Sequence, residues 1–193
     1  MTKKLYSILR ASLSTLAIGV GAAALMASPA SAQTCYDFES LATGTTYVVG
    51  DVINTPTSVE VLNQFQWANG VWTSGGQATI VASNNAAGSV SHELNLNNIN
   101  VHVFPFTPAA EVRFRYADLG GNVNLAVNGA FVNVGNLSAL NGATLGGCQI
   151  TVIAVAGPSG EIGRVVITPV AAAAVTTVGV GGQEFYLDDF CHD

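Results

Sequence analysis

The sequence predicts an all-β domain, a sandwich or barrel of about ten to twelve short antiparallel strands. Three observations carry that expectation. Short apolar runs alternate with polar residues and are separated by Gly, Asn and Pro, the two-residue period of half-buried strands. No segment beyond residue 32 sustains the 3.6-residue apolar period of an amphipathic helix. Only 9% of residues are charged, and Asn, Thr, Gly, Val and Ala abound, so the Lys and Glu that usually coat a helix are scarce.

Residues 1–32 open on Lys3, Lys4 and Arg10, run through an apolar stretch from Leu13 to Ala27 and end on Ala30-Ser31-Ala32, the three-part pattern of a cleavable secretory signal. A retained membrane anchor fits less well, because the stretch is short, rich in Ala and Gly, and ends in a small-residue cleavage site. Residues 33–193 then make one domain, large enough for a real core and undivided by linker or repeat. The expected destination is the extracellular space, the cell surface or the periplasm, with no membrane insertion after cleavage. These residues carry three cations, Arg113, Arg115 and Arg164, against twelve carboxylates, a formal charge of −9 without a single Lys. That balance argues against nucleic acid or an anionic membrane as partner and leaves carboxylates for a hard cation such as calcium.

Strands are predicted near residues 36–39, 58–67, 71–73, 78–82, 99–104, 111–117, 122–128, 130–135, 148–155, 163–168, 174–180 and 184–190. Two Asn-Gly turns set pairing registers, because a two-residue loop of this kind fixes its hairpin. Asn128-Gly129 places Val127 opposite Ala130, Leu125 opposite Val132 and Val123 opposite Val134, all on one face. A preceding strand joins through Asp118-Leu119-Gly120-Gly121, setting Tyr116, Phe114 and Val112 on that face and completing a three-stranded meander. Its other face gathers Arg113, Arg115, Asn124, Phe131 and Asn133, a candidate surface for sugars, which amides and guanidinium groups bind beside an aromatic ring. Ordinary outward alternation of polar residues accounts for the same pattern. Asn69-Gly70 pairs Trp67 with Trp72, either as a buried aromatic pair or as an exposed sugar-stacking platform.

Three cysteines in an exported chain imply one disulfide and one thiol left over. Cys35 and Cys191 lie near the two ends of the domain, and sandwich termini often run side by side, so a Cys35–Cys191 bridge is expected, with pairings through Cys148 as the alternatives. The same terminal strands contain Asp37-Phe38-Glu39-Ser40 and Phe185-Tyr186-Leu187-Asp188-Asp189-Phe190. These resemble the opening "FE" and closing "DD" strands of calcium-containing jelly-roll carbohydrate-binding modules. The resemblance covers about a dozen residues and implies a jelly roll, a structural calcium ion with Glu39, Asp188 and Asp189 as candidate ligands, and a glycan partner. Without the resemblance, these acids are solvated charges on terminal strands.

Catalytic motifs fail on inspection. His92-Glu93 has Leu96 where a zinc-protease helix needs its second His, and Gly157-Pro158-Ser159-Gly160 has Glu161 where a nucleophile elbow needs Gly. Gly179, Gly181 and Gly182 lack dinucleotide spacing, and His92, His102 and His192 are dispersed. The expectation is therefore a non-catalytic glycan-binding module. The alternative is a structural or adhesive subunit of a matrix, surface layer or filament that self-associates through strand addition. An enzyme built from distant residues on the same scaffold is the third class.

Overall fold

A computed structural model of the chain describes residues 33–83, 87, 92–157, 159–171 and 173–193. Residues 1–32, expected to be a secretory signal, lie outside the described residues. Two antiparallel sheets enclose one apolar core, as the alternating pattern requires.

The first sheet, sheet A, runs in the order β12 (Thr144–Leu145), β13 (Cys148–Ala156), β14 (Glu161–Pro169), β9 (Val112–Asp118), β16 (Phe185–His192), β7 (His92–Asn97), β6 (Gln77–Ala82) and β2 (Thr46–Tyr47). Strand β1 (Thr34–Tyr36) also pairs with β16. The second sheet, sheet B, runs β11 (Ala130–Val134), β10 (Val123–Val127), β15 (Val178–Gly182), β8 (Ile99–Pro105), β4 (Ser58–Gln66) and β3 (Val52–Asn54), with β5 (Trp72–Thr73) attached to β4. These sixteen strands among the described residues exceed the expected number by β2, β3 and β12, which hold only two or three residues, and by the six-residue β7.

Pairing reveals the topology. Strands β7, β8, β9 and β10 pair with β16, β15, β14 and β11 respectively. The second half of the chain thus retraces the first, like one long hairpin whose tip is Asn128-Gly129. Wrapping that hairpin around a core distributes its strands into 7-16-9-14 and 8-15-10-11, the two four-stranded sheets of a jelly roll.

Core residues come from alternate positions: Val112, Phe114 and Tyr116 of β9, Val165 and Ile167 of β14, Phe185 and Leu187 of β16, Val123, Leu125 and Val127 of β10, and Val178 and Val180 of β15. Phe114 stacks on Phe190 with centroids 5.9 Å apart, and Tyr116 on Phe185 at 5.6 Å. Each such ring contributes about 1.5–3 kcal/mol through burial.

The Asn128-Gly129 hairpin has the expected register, Val127 opposite Ala130 through Val123 opposite Val134. The meander is not formed. Strand β9 lies in sheet A between β14 and β16, and the glycines of Asp118-Leu119-Gly120-Gly121, at φ +131° and +89°, carry the chain across to sheet B. Both strands present their apolar side to the same core from opposite sheets, which is why their patterns agreed without their being neighbours. Arg113 and Arg115 therefore stand on the outside of sheet A, while Asn124, Phe131 and Asn133 belong to sheet B. The predicted single surface divides into two, on opposite sides of the sandwich.

The tryptophan register also differs. Trp67 N–H donates to Val71 O and Gln66 pairs with Trp72, so the loop holds three residues and the two tryptophans are not partners. Cys35 is opposite Cys191 on β1 and β16, bonded with Cα atoms 3.9 Å apart, and Cys148 is a buried free thiol.

Candidate ligand-binding surface

Two adjacent rows of outward residues shape the outer face of sheet B. Phe131, Ala126, Gly179, His102 and Val61 are successive cross-strand neighbours from β11 to β4. The parallel row is Asn133, Asn124, Gly181, Asn100 and Asn63. Small residues in mid-row leave a trough between a ring on one side and an imidazole on the other. A Cβ on Gly179 would lie 2.6 Å from His102 Nε2, and one on Gly181 would run into the Ile99 carbonyl oxygen and lie 2.5 Å from Asn100 Oδ1. Glycine here is room for the neighbouring strand's side chain.

The asparagine row holds a hairpin over the sheet. The buried side of β4 shifts between Leu62 and Phe65, an odd step that turns the strand. Beyond it the Gln66 carbonyl accepts from the amides of Asn122, Asn124 and Asn133 at 2.9, 3.0 and 2.7 Å, and Asn100 Nδ2 donates to Gln64 O at 2.6 Å. Donors from β8, β10 and β11 reach these two carbonyls only if the hairpin lies across those strands. Asn124 and Asn133, expected to touch ligand, are instead its clamps.

That clamp delivers Trp72 to Phe131. Their ring centroids are 5.1 Å apart at 44°, and both rings stay open to solvent, 47% and 37% exposed. Beside them lies a concavity of about 390 Å³ lined by Asn63, Gln64, Trp72, His102, Ala126, Gly129, Phe131 and Thr177. Burial pushes the His102 pKa below its ordinary value, so at neutral pH the ring is an uncharged hydrogen-bonding group. A wall of two aromatic rings with amide, hydroxyl and imidazole groups and no formal charge suits a neutral polyhydroxylated ligand. Asn63, Gln64, His102 and Thr177 were absent from the sequence-based set, and Trp72 entered it only as one half of a Trp67–Trp72 platform. The Gly-Val-Gly-Gly stretch of β15 was the available signal, since outward glycines in a mid-sheet strand mark a close approach.

The expected calcium ligands Glu39, Asp188 and Asp189 lie in different settings. Glu39 Oε1 accepts the His92 backbone N–H at 2.9 Å, and Asp189, at φ +47° in a bulge of β16, bonds Arg115 Nε at 3.2 Å. Asp188 is buried. The register that sets Leu187 opposite Leu94 continues to place it beside buried Glu93. Burial, then the nearby carboxylates of Asp189, Glu93 and Asp37, push the Asp188 pKa up to about 7. Among the described residues no three His, Cys, Asp or Glu side chains form a metal-ligating group. Two buried carboxylates side by side fit a hard cation, and Asp189 beside them is held by Arg115.

No protein-family model, curated protein or solved structure matches the chain. Among the described residues no helix is long and apolar enough to cross a membrane.

Proposed function

We propose that the protein is an exported, non-catalytic module that binds a neutral glycan in the trough on sheet B. The observation that carries this reading is the solvent-open Trp72–Phe131 pair walling a concavity of about 390 Å³. A sugar ring presents C–H groups to the aromatic faces and hydroxyls to Asn63, Gln64, His102 and Thr177. The hairpin clamp fixes the Trp72 backbone before binding, which lowers the ordering cost of association. Retention on a panel of neutral polysaccharides tests it. Wild-type protein is retained by at least one, and Trp72→Ala, Phe131→Ala and the double variant lose retention at least tenfold while unfolding near the wild-type temperature. Equal retention of the double variant, or none by the wild type, removes the proposal.

A structural calcium ion enters this reading at Asp188 with Glu93, where it would neutralise two buried carboxylates and tie β16 to β7. Calcium then raises the unfolding temperature over a chelated sample, and Asp188→Asn abolishes the difference. An unchanged temperature removes the ion from the account.

A second reading, a self-associating structural subunit, is favoured by β13. Its short neighbour β12 pairs only with Cys148 and Gln149, while Ile153 and Val155 farther along are 55% and 67% exposed on an uncharged strand. Concentration-dependent assembly that Ile153→Lys prevents would support it, and a monomer at all concentrations would exclude it.

A further inference from the structure

The outer face of sheet A carries a second and different site. Arg115 of β9 lies directly opposite Arg164 of β14, and Arg113 stands two residues along β9 on the same face. These are all the cations of residues 33–193, gathered on one patch of a segment with twelve carboxylates. Like charges directly opposite on adjacent strands are destabilising, so the pair is not explained by sheet stability. Asp189 offsets part of it through its 3.2 Å contact with Arg115 Nε. Arg113 and Arg164 have no carboxylate partner among the described residues. The three guanidinium groups, Asp189 and the Cys35–Cys191 bridge line a concavity of about 220 Å³.

We propose that Arg113, Arg115 and Arg164 form a binding site for a single carboxylate, supplied by an acidic sugar of the uronate type. Guanidinium forks match a carboxylate's two oxygens, and an anion between Arg115 and Arg164 removes their repulsion. The formal charge of −9 on residues 33–193 repels dense polyanions, while charges farther than about 8 Å are screened at physiological salt. An isolated acid group on a largely uncharged chain therefore gains from the patch what a nucleic acid would lose to the rest of the surface. The site stands apart from the trough, on the other side of the sandwich, and does not depend on it.

The test is calorimetric titration of the full domain with a trisaccharide that carries one uronate beside two neutral sugars and with its methyl ester, which removes the charge and adds one methyl group. The acid is expected to bind at least tenfold more tightly than the ester, with the advantage falling as salt rises. The Arg113→Gln, Arg164→Gln double variant removes the advantage, and Trp72→Ala leaves it intact. Equal affinity for acid and ester, or an unchanged advantage in the double variant, overturns the assignment. So does binding of sulfated polysaccharide or nucleic acid in place of the uronate. The comparison of acid with ester uses the unaltered chain, so it decides the matter even where a variant fails to fold.

Discussion

The two outer faces of the sandwich are built on the same alternating backbone and differ in almost every chemical respect. Sheet B faces outward with Phe131, Ala126, Gly179 and His102, a row without formal charge that narrows to glycine in the middle. Sheet A carries charge on four adjacent strands, with Arg115 and Arg164 open on β9 and β14 and Asp188 and Glu93 buried on β16 and β7. The inward residues of both are interchangeable aliphatic and aromatic side chains, so the core says nothing about which face binds what. Function in such a fold is written in the outward half of each strand, and there the glycines matter as much as the side chains.

The largest expected effect lies on the charged side, where the disulfide ties β1 to β16. Its cysteines are 156 residues apart in sequence, a loop whose closure is worth roughly 4–5 kcal/mol in the chain-entropy account. Cys35→Ser is expected to lower the unfolding temperature by roughly 8–20 °C in calorimetry, and a drop of only about 2–3 °C would show that β1 contributes little to the native state.

A smaller effect sharpens the contrast in buried charge. Asp118, at the end of β9, is 1% exposed and opposite Glu161, and burial together with that carboxylate pushes its pKa up to about 6 from 3.8. Gly120 N–H, donating at 2.9 Å, restrains the rise. Between those two values the native state holds a proton that the unfolded chain has released. Stability is therefore full below the unfolded value, falls as pH rises through the native value, and stays lower above it. Asp118→Asn keeps the acceptor for Gly120, removes that descent, and stabilises the domain at pH 8 by roughly 2–3 kcal/mol. Denaturant titrations of both proteins at pH 4 and pH 8 check this, and parallel pH profiles would contradict it.

The smallest effect on stability belongs to the uncharged face. Gly179→Val places methyl groups where His102 now sits, at a cost of about 1–3 kcal/mol. It also fills the trough. Glycan retention is expected to fall at least tenfold while uronate binding on sheet A is unchanged. Parallel loss at both sites would mean that the two faces are not independent.

Much of this molecule was legible in advance, and the exceptions share a cause. Alternation and turn residues identify most of the strands, and the Asn128-Gly129 turn sets its hairpin residue by residue because a tight turn is a local constraint. The sheet to which a strand belongs is not local. Strands β9 and β10 show the same apolar pattern as neighbours would, because the two walls of a sandwich share one core. Strand β7 lies outside the predicted set although Leu94 and Leu96 alternate with Asn95 and Asn97. The Trp67–Trp72 pairing failed by one residue of loop length, which reverses the face on which every following side chain lies. The set proposed to face a sugar was half visible. Phe131 was recognised as exposed, but Trp72 joins it only through the clamp of Asn122, Asn124 and Asn133 on one carbonyl, a contact that crosses 56 to 67 residues of sequence.

The division of labour between the faces is tested most directly by amide and indole shift mapping of the isotopically labelled domain, titrated with a neutral oligosaccharide cut from a polysaccharide that retains it. The account predicts saturable shifts at the Trp72 indole and at Ala126, Gly129 and Gly179, with Arg113 and Arg164 unmoved. Shifts centred on sheet A, or scattered along the β13 edge with the Trp72 indole unchanged, would contradict it.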